Sequence, residues 1–509
     1  MAVMKLKTLA TIGASWLALA SVAAAQQAAQ PADERERRIQ ELEQRLADIE
    51  AQLNDLKASS AADVADVRRV ASEAPVVTVA NGRPAIASAN GDFRFALRGL
   101  VQYDYAHYEQ DGAQTPDNRR GDTAAASDLN SGGNFRRARL GFEGTAFRDW
   151  NYALIYELGG TGTEGSQITQ AYLEYAGYKP WENAAPLRFR IGAWATPTGL
   201  EDATSNTESL FLERPAAAEL VRGLAGGDGR TGVGVFANGD RWYWSGVLTG
   251  ATVANSGEFD EQTGFLGRVA LLPLRGESYG VHFGANLAGV LEPADTDAST
   301  ADLQRIRLRE RPELRNDTTR FVDTGNLLAD GALAYGLEAG AFWNNFYAAG
   351  EIYQIDVSRT GAGAVDPEFG GWYVQGAWTL TGERRRWSAA NGGFQGVRPA
   401  RSFSPGDARW GAWELAARYS TLDLNFHEGA LGAAPIAGDT VRGGEQTITT
   451  LGLNWYPNNT VRFLLDYQWV EIDRLDPEDA AAIVAAVPGV GAQIGQDYQA
   501  VALRTQVAF

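Results

Sequence analysis

The feature that most constrains this chain is a period of two. In the stretch NFRRARLGFEGTAFRDWNYALIYE, Ala138, Leu140, Phe142, Gly144 and Ala146 form one row, and Arg137, Arg139, Gly141, Glu143 and Thr145 alternate with them. After Arg148-Asp149-Trp150 the pattern resumes, with Tyr152, Leu154 and Tyr156 on one side and Asn151, Ala153 and Glu157 on the other. One face suits an apolar medium and the other suits water and charge. A single soluble hairpin can show this, but here such segments recur to the final residue with no helical domain between them. Sixteen strands are expected, over 93–107, 134–147, 150–159, 167–178, 187–195, 230–237, 241–250, 262–272, 279–290, 331–342, 346–357, 370–380, 409–424, 446–456, 460–473 and 496–509.

The joins alternate between tight turns, such as Asn238-Gly239-Asp240, Trp343-Asn344-Asn345 and Pro457-Asn458-Asn459, and connections of a dozen to nearly forty residues. Short on one rim and long on the other is the layout of an outer-membrane barrel. The rows Phe93, Phe95, Leu97, Val101, Tyr103, Tyr105 and Val461, Phe463, Leu465, Tyr467, Trp469 fit lipid, with aromatics toward strand ends. In lipid an open sheet edge leaves unpaired backbone groups at a cost of several kcal/mol each, so the sheet must close. Sixteen strands are expected to enclose an aqueous lumen rather than a packed core. The fold class is therefore all-β, a sixteen-stranded antiparallel transmembrane β-barrel over residues 93–509, with a short α-helical coiled-coil segment before it.

That preceding region divides into three parts. Residues 1–25 read as a secretory signal, with Lys5 and Lys7, an apolar run and Ala23-Ala24-Ala25. Residues 26–57 hold a periplasmic coil with Ile39, Leu42, Leu46, Ile49, Leu53 and Leu56 at steps of three and four, and leucine at a with isoleucine at d leans to three or four strands. The alternative is a single amphipathic helix lying on the barrel. Residues 58–92, rich in alanine, serine and valine, are expected to be an extended linker. Removing Lys5 and Lys7 leaves 43 basic against 63 acidic residues, taking the net charge from -18 to -20 and making nucleic acid an improbable partner. There is no cysteine, and His107, His282 and His427 lie far apart without a metal-binding or nucleophile motif, so no catalytic residue, metal or cofactor is expected.

Several stretches resemble the phosphate-selective porins O and P of Gram-negative outer membranes: the coil before the barrel, NFRRARLGFEG at 134–144, the excursion 197–229, GGFQGVRPARSF at 392–403, and the closing strands TLGLNWYPNNTVRFLLDYQWVEID and QAVALRTQVAF. The resemblance covers nearly the whole chain after the signal. It implies a homotrimer in outer-membrane lipid and lipopolysaccharide, with long loops folded into the lumen, an arginine ladder conducting small anions such as phosphate, and Phe509 as the mark read by the barrel-assembly machinery. It also associates a constriction lysine with phosphate preference, whereas only Lys57 and Lys179 remain after the signal.

Strand parity aims Arg94, Arg98, Arg137, Arg139, Arg188, Arg190, Arg268, Arg418, Arg462 and Arg504 at the lumen, where always-charged planar donors suit passing anions. The competing reading is that they face Glu143, Glu157, Glu174, Glu414 and Asp466 merely to remain solvated. The excursion 197–229 is long enough to form a constriction presenting Arg214, Arg222 and Arg230, yet it is net acidic, which a phosphate trap does not want. A short helix is expected from Pro215. Arg384, Arg385, Arg386, Arg398, Arg401 and Arg409 are expected at the periplasmic mouth. Arg305, Arg307, Arg309, Arg311, Arg315 and Arg320 sit in an outer loop that serves equally as a collecting site or a lipopolysaccharide-facing surface. The rival function is a general or sugar-passing porin of weak selectivity.

Overall fold

The computed structural model describes residues 32–80, 82–110, 127–160, 167–182, 185–253, 260–295, 304–477 and 491–509, so the signal segment lies outside the described residues. The described chain divides into two units, one ending at Ala74 and one beginning at Pro75.

The first unit is one helix, α1 (Ala32–Glu73), 42 residues long. It runs sixteen residues past the expected end of the coil, because Ala58 to Val67 is rich in alanine, the best helix former. The heptad register continues through Ser60 and Asp63, whose polarity hides it in the sequence, to Val67 and Val70. The six apolar coil residues remain exposed in the single chain, from 47% at Leu53 to 65% at Leu56. The helix stops just before Pro75, whose preceding residue is pushed out of helical geometry. The expectation of an extended linker to residue 92 is therefore overturned. The chain turns instead into a hairpin, β1 (Val76–Ala80) with β2 (Arg83–Ala87), paired from Val76↔Ala87 to Ala80↔Arg83.

Sixteen long strands follow: β3 (Arg94–Glu109), β4 (Gly132–Ala146), β5 (Trp150–Glu157), β6 (Gln167–Tyr178), β7 (Leu187–Trp194), β8 (Arg230–Asn238), β9 (Trp242–Thr252), β10 (Thr263–Arg275) and β11 (Tyr279–Glu292). After the two-residue pairs β12 (Arg305–Ile306), β13 (Arg309–Glu310) and β14 (Val322–Asp323) come β15 (Leu327–Trp343), β16 (Phe346–Arg359) and β17 (Glu368–Thr379). The short β18 (Arg386–Ser388) and β19 (Gly393–Gln395) then precede β20 (Ala412–Phe426), β21 (Val441–Tyr456), β22 (Val461–Asp473) and β23 (Tyr498–Ala508). Each long strand pairs antiparallel with the next, and β23 returns to β3 from Gln499↔Glu109 to Ala508↔Leu100, which closes the barrel. Where β23 ends, β2 takes up the same edge of β3, from Ala85↔Ala96 to Ala87↔Arg94. The two pairings together line that seam along β3.

Phe509 locks that seam. Its N–H donates to the Gly99 carbonyl and Gly99 N–H donates to its carbonyl, each at 2.9 Å. Its ring lies over Gly99, where an added Cβ would fall among the ring atoms. Outside, aromatics ring the short-turn rim, with Trp343, Phe346 and Trp378 stacked at 6.4 and 5.9 Å and Trp413, Trp455 and Phe463 at 5.4 and 5.2 Å. A second set, including Tyr103–Phe135 and Trp372–Tyr419, lies toward the long-loop rim.

The lumen departs from the expected water column. The helix α3 (Ala216–Ala225) within the 195–229 excursion buries Ala216, Ala217, Leu220, Val221 and Leu224 against Val247, Leu266, Ala288, Tyr353 and Phe369 of the wall. Strands β8 to β17 point many apolar residues inward, so that side is packed like an ordinary core, and a Cβ added at Gly371 would meet Ala217 at 2.7 Å. The polar inner wall lies mainly on the other strands.

Because the Phe509 ring occupies the space above Gly99, Gly99→Leu should overpack the seam at a cost of about 1–3 kcal/mol. The expected outcome is a heat-modifiable gel band that converts to the unfolded mobility several degrees below wild type, while Gly267→Leu, with open space around it and no left-handed backbone, converts at the wild-type temperature.

Candidate permeation site

The excursion between β7 and β8 crosses the lumen as a single turn of helix, α2 (Leu200–Ala203), then a run of bends and turns over 204–214, then α3. The wall holds it through its backbone. Leu200 and Glu201 N–H donate to Glu351 at 2.6 and 3.0 Å, Leu212 N–H donates to Asp466 at 2.9 Å, and Asn454 donates to the Leu210 carbonyl at 2.9 Å. Gln102 and Gln506 reach the carbonyls of Asn206 and Thr207 at 3.1 and 3.0 Å.

Charge then locks it. Glu213 accepts from Arg136 at 2.8 Å and Arg504 at 2.7 Å, with Arg137 at 3.7 Å. Arg504 also grips Asp104 through two nitrogens at 2.7 and 2.6 Å. Asp228 meets Arg222 at 2.5 Å and Arg139, which also binds Glu157 at 2.6 Å. Asp202 meets Arg222 at 2.7 Å and Arg214 at 3.2 Å. The acidity of the excursion thus serves as the counter-charge to wall and loop arginines. Strict alternation hid Arg136: a bulge between Gln102↔Arg137 and Tyr103↔Phe135 turns two successive arginines inward.

Two further segments fold in. In the 304–326 loop, Glu313 takes a left-handed backbone (φ 64°) and lays its carboxylate on Arg418 and, at 2.6 Å, on Ser420. Arg315 pairs with Glu310 at 3.1 Å and Arg307 with Asp323 at 2.5 Å, while Arg305 and Arg309 are exposed and Arg320 half-buried. The 380–411 segment sits on the short-turn rim and is drawn inward by Arg268, which binds Glu338 at 2.7 and 2.8 Å and the carbonyls of Asn391 and Gly392 at 2.7 and 2.8 Å. Arg385 does the same from the segment itself, through Glu414 at 3.0 and 2.9 Å and the Glu208 carbonyl at 3.1 Å. Trp387 adds an N–H bond to His282 at 3.1 Å.

The expected anion-facing arginines therefore separate. Arg98, Arg139, Arg214, Arg222 and Arg398 come together around a cavity of about 430 Å³, joined by Arg83 and Arg462. Asp202, Glu208 and Asp228 are the acidic side chains on its lining, so arginines outnumber acidic side chains there seven to three, while Glu143, Glu157 and Glu219 behind the lining pair with Arg83, Arg98, Arg139, Arg214 and Arg222. A second cavity of about 490 Å³ at the short-turn rim, lined by Arg384, Arg386 and Arg398, shares Gly396 and Arg398 with the first. Elsewhere, Arg137 bonds Gln102 at 2.8 Å, Arg190 bonds Glu174 at 2.6 Å, Arg188 bonds the Ala390 carbonyl at 3.0 Å, and Arg230 bonds three backbone carbonyls. Arg94 and Arg401 are exposed, and Arg409 pairs with Asp407.

Arg83, like Arg136, is a lumen arginine that strand parity does not reach. From the β1–β2 hairpin it reaches the Leu97 carbonyl at 2.9 Å and Glu143 at 2.5 Å, and Glu143 also holds Arg98 at 2.7 Å. Asn81-Gly82 between two apolar runs is the signal that could have found the hairpin.

A closed sixteen-stranded sheet with apolar outer rows, aromatic rims and loops folded into a charged lumen defines an outer-membrane porin. Residues 95–509 match the family described as "Phosphate-selective porin O and P", and the chain belongs to it. Among characterised relatives, "Porin O" of Pseudomonas aeruginosa is 27% identical over 424 residues, 79% of this chain and 88% of that protein. A Caulobacter vibrioides protein is 27% identical over 419 residues, 78% of this chain and 73% of its own length. Among solved structures, an anion-selective porin from Comamonas acidovorans has a TM-score of 0.44 with 13% identity, covering 82% of this chain and all of that one. OmpT of Vibrio cholerae has a TM-score of 0.45 with 9% identity, covering 82% and 98%.

Burial would push Glu219 upward, but Arg222, Arg214 and Arg315 hold it down to about 2, below its ordinary 4.5. A carboxylate depressed on folding stabilises the inward loop above pH 4.5, and that contribution is lost as pH falls toward 2. The thermal unfolding midpoint of wild type should exceed that of Glu219→Gln by a constant amount above pH 5, and the gap should shrink between pH 4.5 and 2. A gap that persists at pH 2 contradicts the assignment.

Proposed function

We propose that the chain forms a homotrimeric outer-membrane channel for passive diffusion of small anions, phosphate among them, through the arginine-lined cavity. The observation that carries this reading is the excess of arginine over acidic side chains on its lining, seven to three. Guanidinium groups keep their charge at any working pH and offer planar donors to oxyanions. Several partners in a row replace hydration without holding an ion too tightly to leave. Arg398, common to both cavities, would hand anions to the periplasmic mouth, where Arg384 and Arg386 draw them outward. No lysine lines either cavity, so phosphate would be passed rather than trapped.

The trimer reading is supported by the exposed stripe of α1, an apolar seam with no partner in the single chain. The C-terminal Phe509 fits recognition by the barrel-assembly machinery before its ring closes on Gly99. The general or sugar-passing alternative predicts a lumen of balanced charge at its open part.

In a potassium chloride gradient, purified trimers should show a reversal potential favouring chloride. Arg98→Glu with Arg398→Glu should move it toward zero by tens of millivolts, and a wild-type potential favouring potassium would reject the proposal. Leu46→Asp with Leu53→Asp should weaken the coil and shift light-scattering mass in detergent from three chains toward one, and unchanged mass would remove the coil from the trimer account.

A further inference from the structure

We infer that Arg462 is an oxyanion seat at the short-turn end of the lumen, taking the planar edge of one phosphate, sulfate or carboxylate group. The inference rests on the anion-channel reading and adds to it a single residue that distinguishes oxyanions from halide.

A guanidinium presents Nε and Nη2 on one edge, a spacing that matches two oxygens of an oxyanion. In this barrel that edge is filled repeatedly by carboxylate: Arg136 on Glu213, Arg190 on Glu174, Arg268 on Glu338, Arg385 on Glu414 and Arg504 on Asp104. Arg462 has the same edge empty. It is 3% exposed, opposite Gln506 in the ladder, with its guanidinium 4.9 Å from the centre of the Tyr456 ring. Among the described residues its Nε and Nη2 have no hydrogen-bond partner, and its Nη1 makes one long bond, 3.4 Å, to the Thr207 carbonyl.

Among the described residues no carboxylate forms an ion pair with it: Asp466, four residues along the same inward row, has its Oδ2 on Leu212 N–H and its Oδ1 unpaired, but does not reach Arg462. Glu414 is occupied by Arg385, Tyr456 at 2.7 Å and Asn454 at 3.2 Å, and Glu208 is held by Arg398 at 3.1 Å. Arginine cannot escape by losing its proton, and a buried cation without an anion is strongly disfavoured. Arg442, equally buried, meets that demand with three backbone carbonyls at 2.7–2.9 Å, whereas Arg462 has only the distant one. Arg462 lines the 430 Å³ cavity. Letting go of Thr207 turns its open edge into that space, where an oxyanion from solution completes the fork. Chloride, with no second oxygen, gains only a point charge.

The test uses reconstituted wild-type, Arg462→Lys and Arg462→Gln trimers carrying chloride current, titrated with sodium sulfate and with inorganic phosphate at matched ionic strength. Lysine keeps the charge and loses the fork. The half-blocking concentration should rise at least fivefold in both Arg462→Lys and Arg462→Gln, the lysine showing that charge without the fork does not restore block. Equal block in all three channels, or no oxyanion block of wild type, overturns the seat while leaving an anion channel intact. A wild-type reversal potential favouring potassium would fail the parent reading separately. In wild type, where assembly is not in question, sulfate should also raise the thermal unfolding midpoint above that in chloride of equal ionic strength, and the absence of a rise likewise overturns the seat.

Discussion

An arginine brought out of bulk water into a protein wall keeps its charge and must be met by an anion or by carbonyl oxygen. That requirement organises this lumen. The excursion over 195–229 carries Asp202, Glu213, Glu219 and Asp228, and each of them finds arginines on the wall, on a neighbouring loop or in the excursion itself. Glu313 repeats the device for Arg418. The short-rim segment inverts the direction, since wall arginine 268 captures its carbonyls. Loops folded into a barrel would otherwise leave backbone groups unsatisfied, and here the charged side chains that fix their position also supply many of their hydrogen bonds.

The same requirement separates the arginines by what meets them. Arg136, Arg137, Arg268, Arg385, Arg418 and Arg504 are committed to holding segments in place. Arg83, Arg98, Arg398 and Arg462 stand where cationic charge exceeds what carboxylates return, next to open space. The apolar packing of α3 against β10, β11, β16, β17 and β20 confines that space to one side of the lumen. The proposed passage would be narrowed by a packed core on one flank and steered by positive charge on the other.

The barrel was legible because lipid imposes a period of two that no amount of loop variation erases. All sixteen long strands were found, and Phe93 to Tyr105 and Val461 to Trp469 face as their alternation requires. What escaped was non-periodic. Arg136 sits at a bulge that breaks parity. Arg83 lies in a hairpin whose alanines and valines read as linker. The last sixteen residues of α1 hid behind Ser60 and Asp63 at heptad positions. The apolar inner wall at Leu266, Ala288 and Val290 cannot be told by parity from the lipid face, because both rows of those strands are apolar there. Which arginines converge depends on loops meeting across more than a hundred residues of sequence, as Arg462 meets Thr207, and no local pattern encodes that.

The most direct measurement is to find the ions themselves. Crystals of the protein soaked in sodium bromide and, separately, in rubidium chloride would show anomalous peaks wherever each ion rests. The account predicts bromide among Arg83, Arg98, Arg398 and Arg462 and along Arg384 and Arg386, with rubidium absent from both cavities. Rubidium in those cavities, with bromide confined to the outer surface, would contradict it.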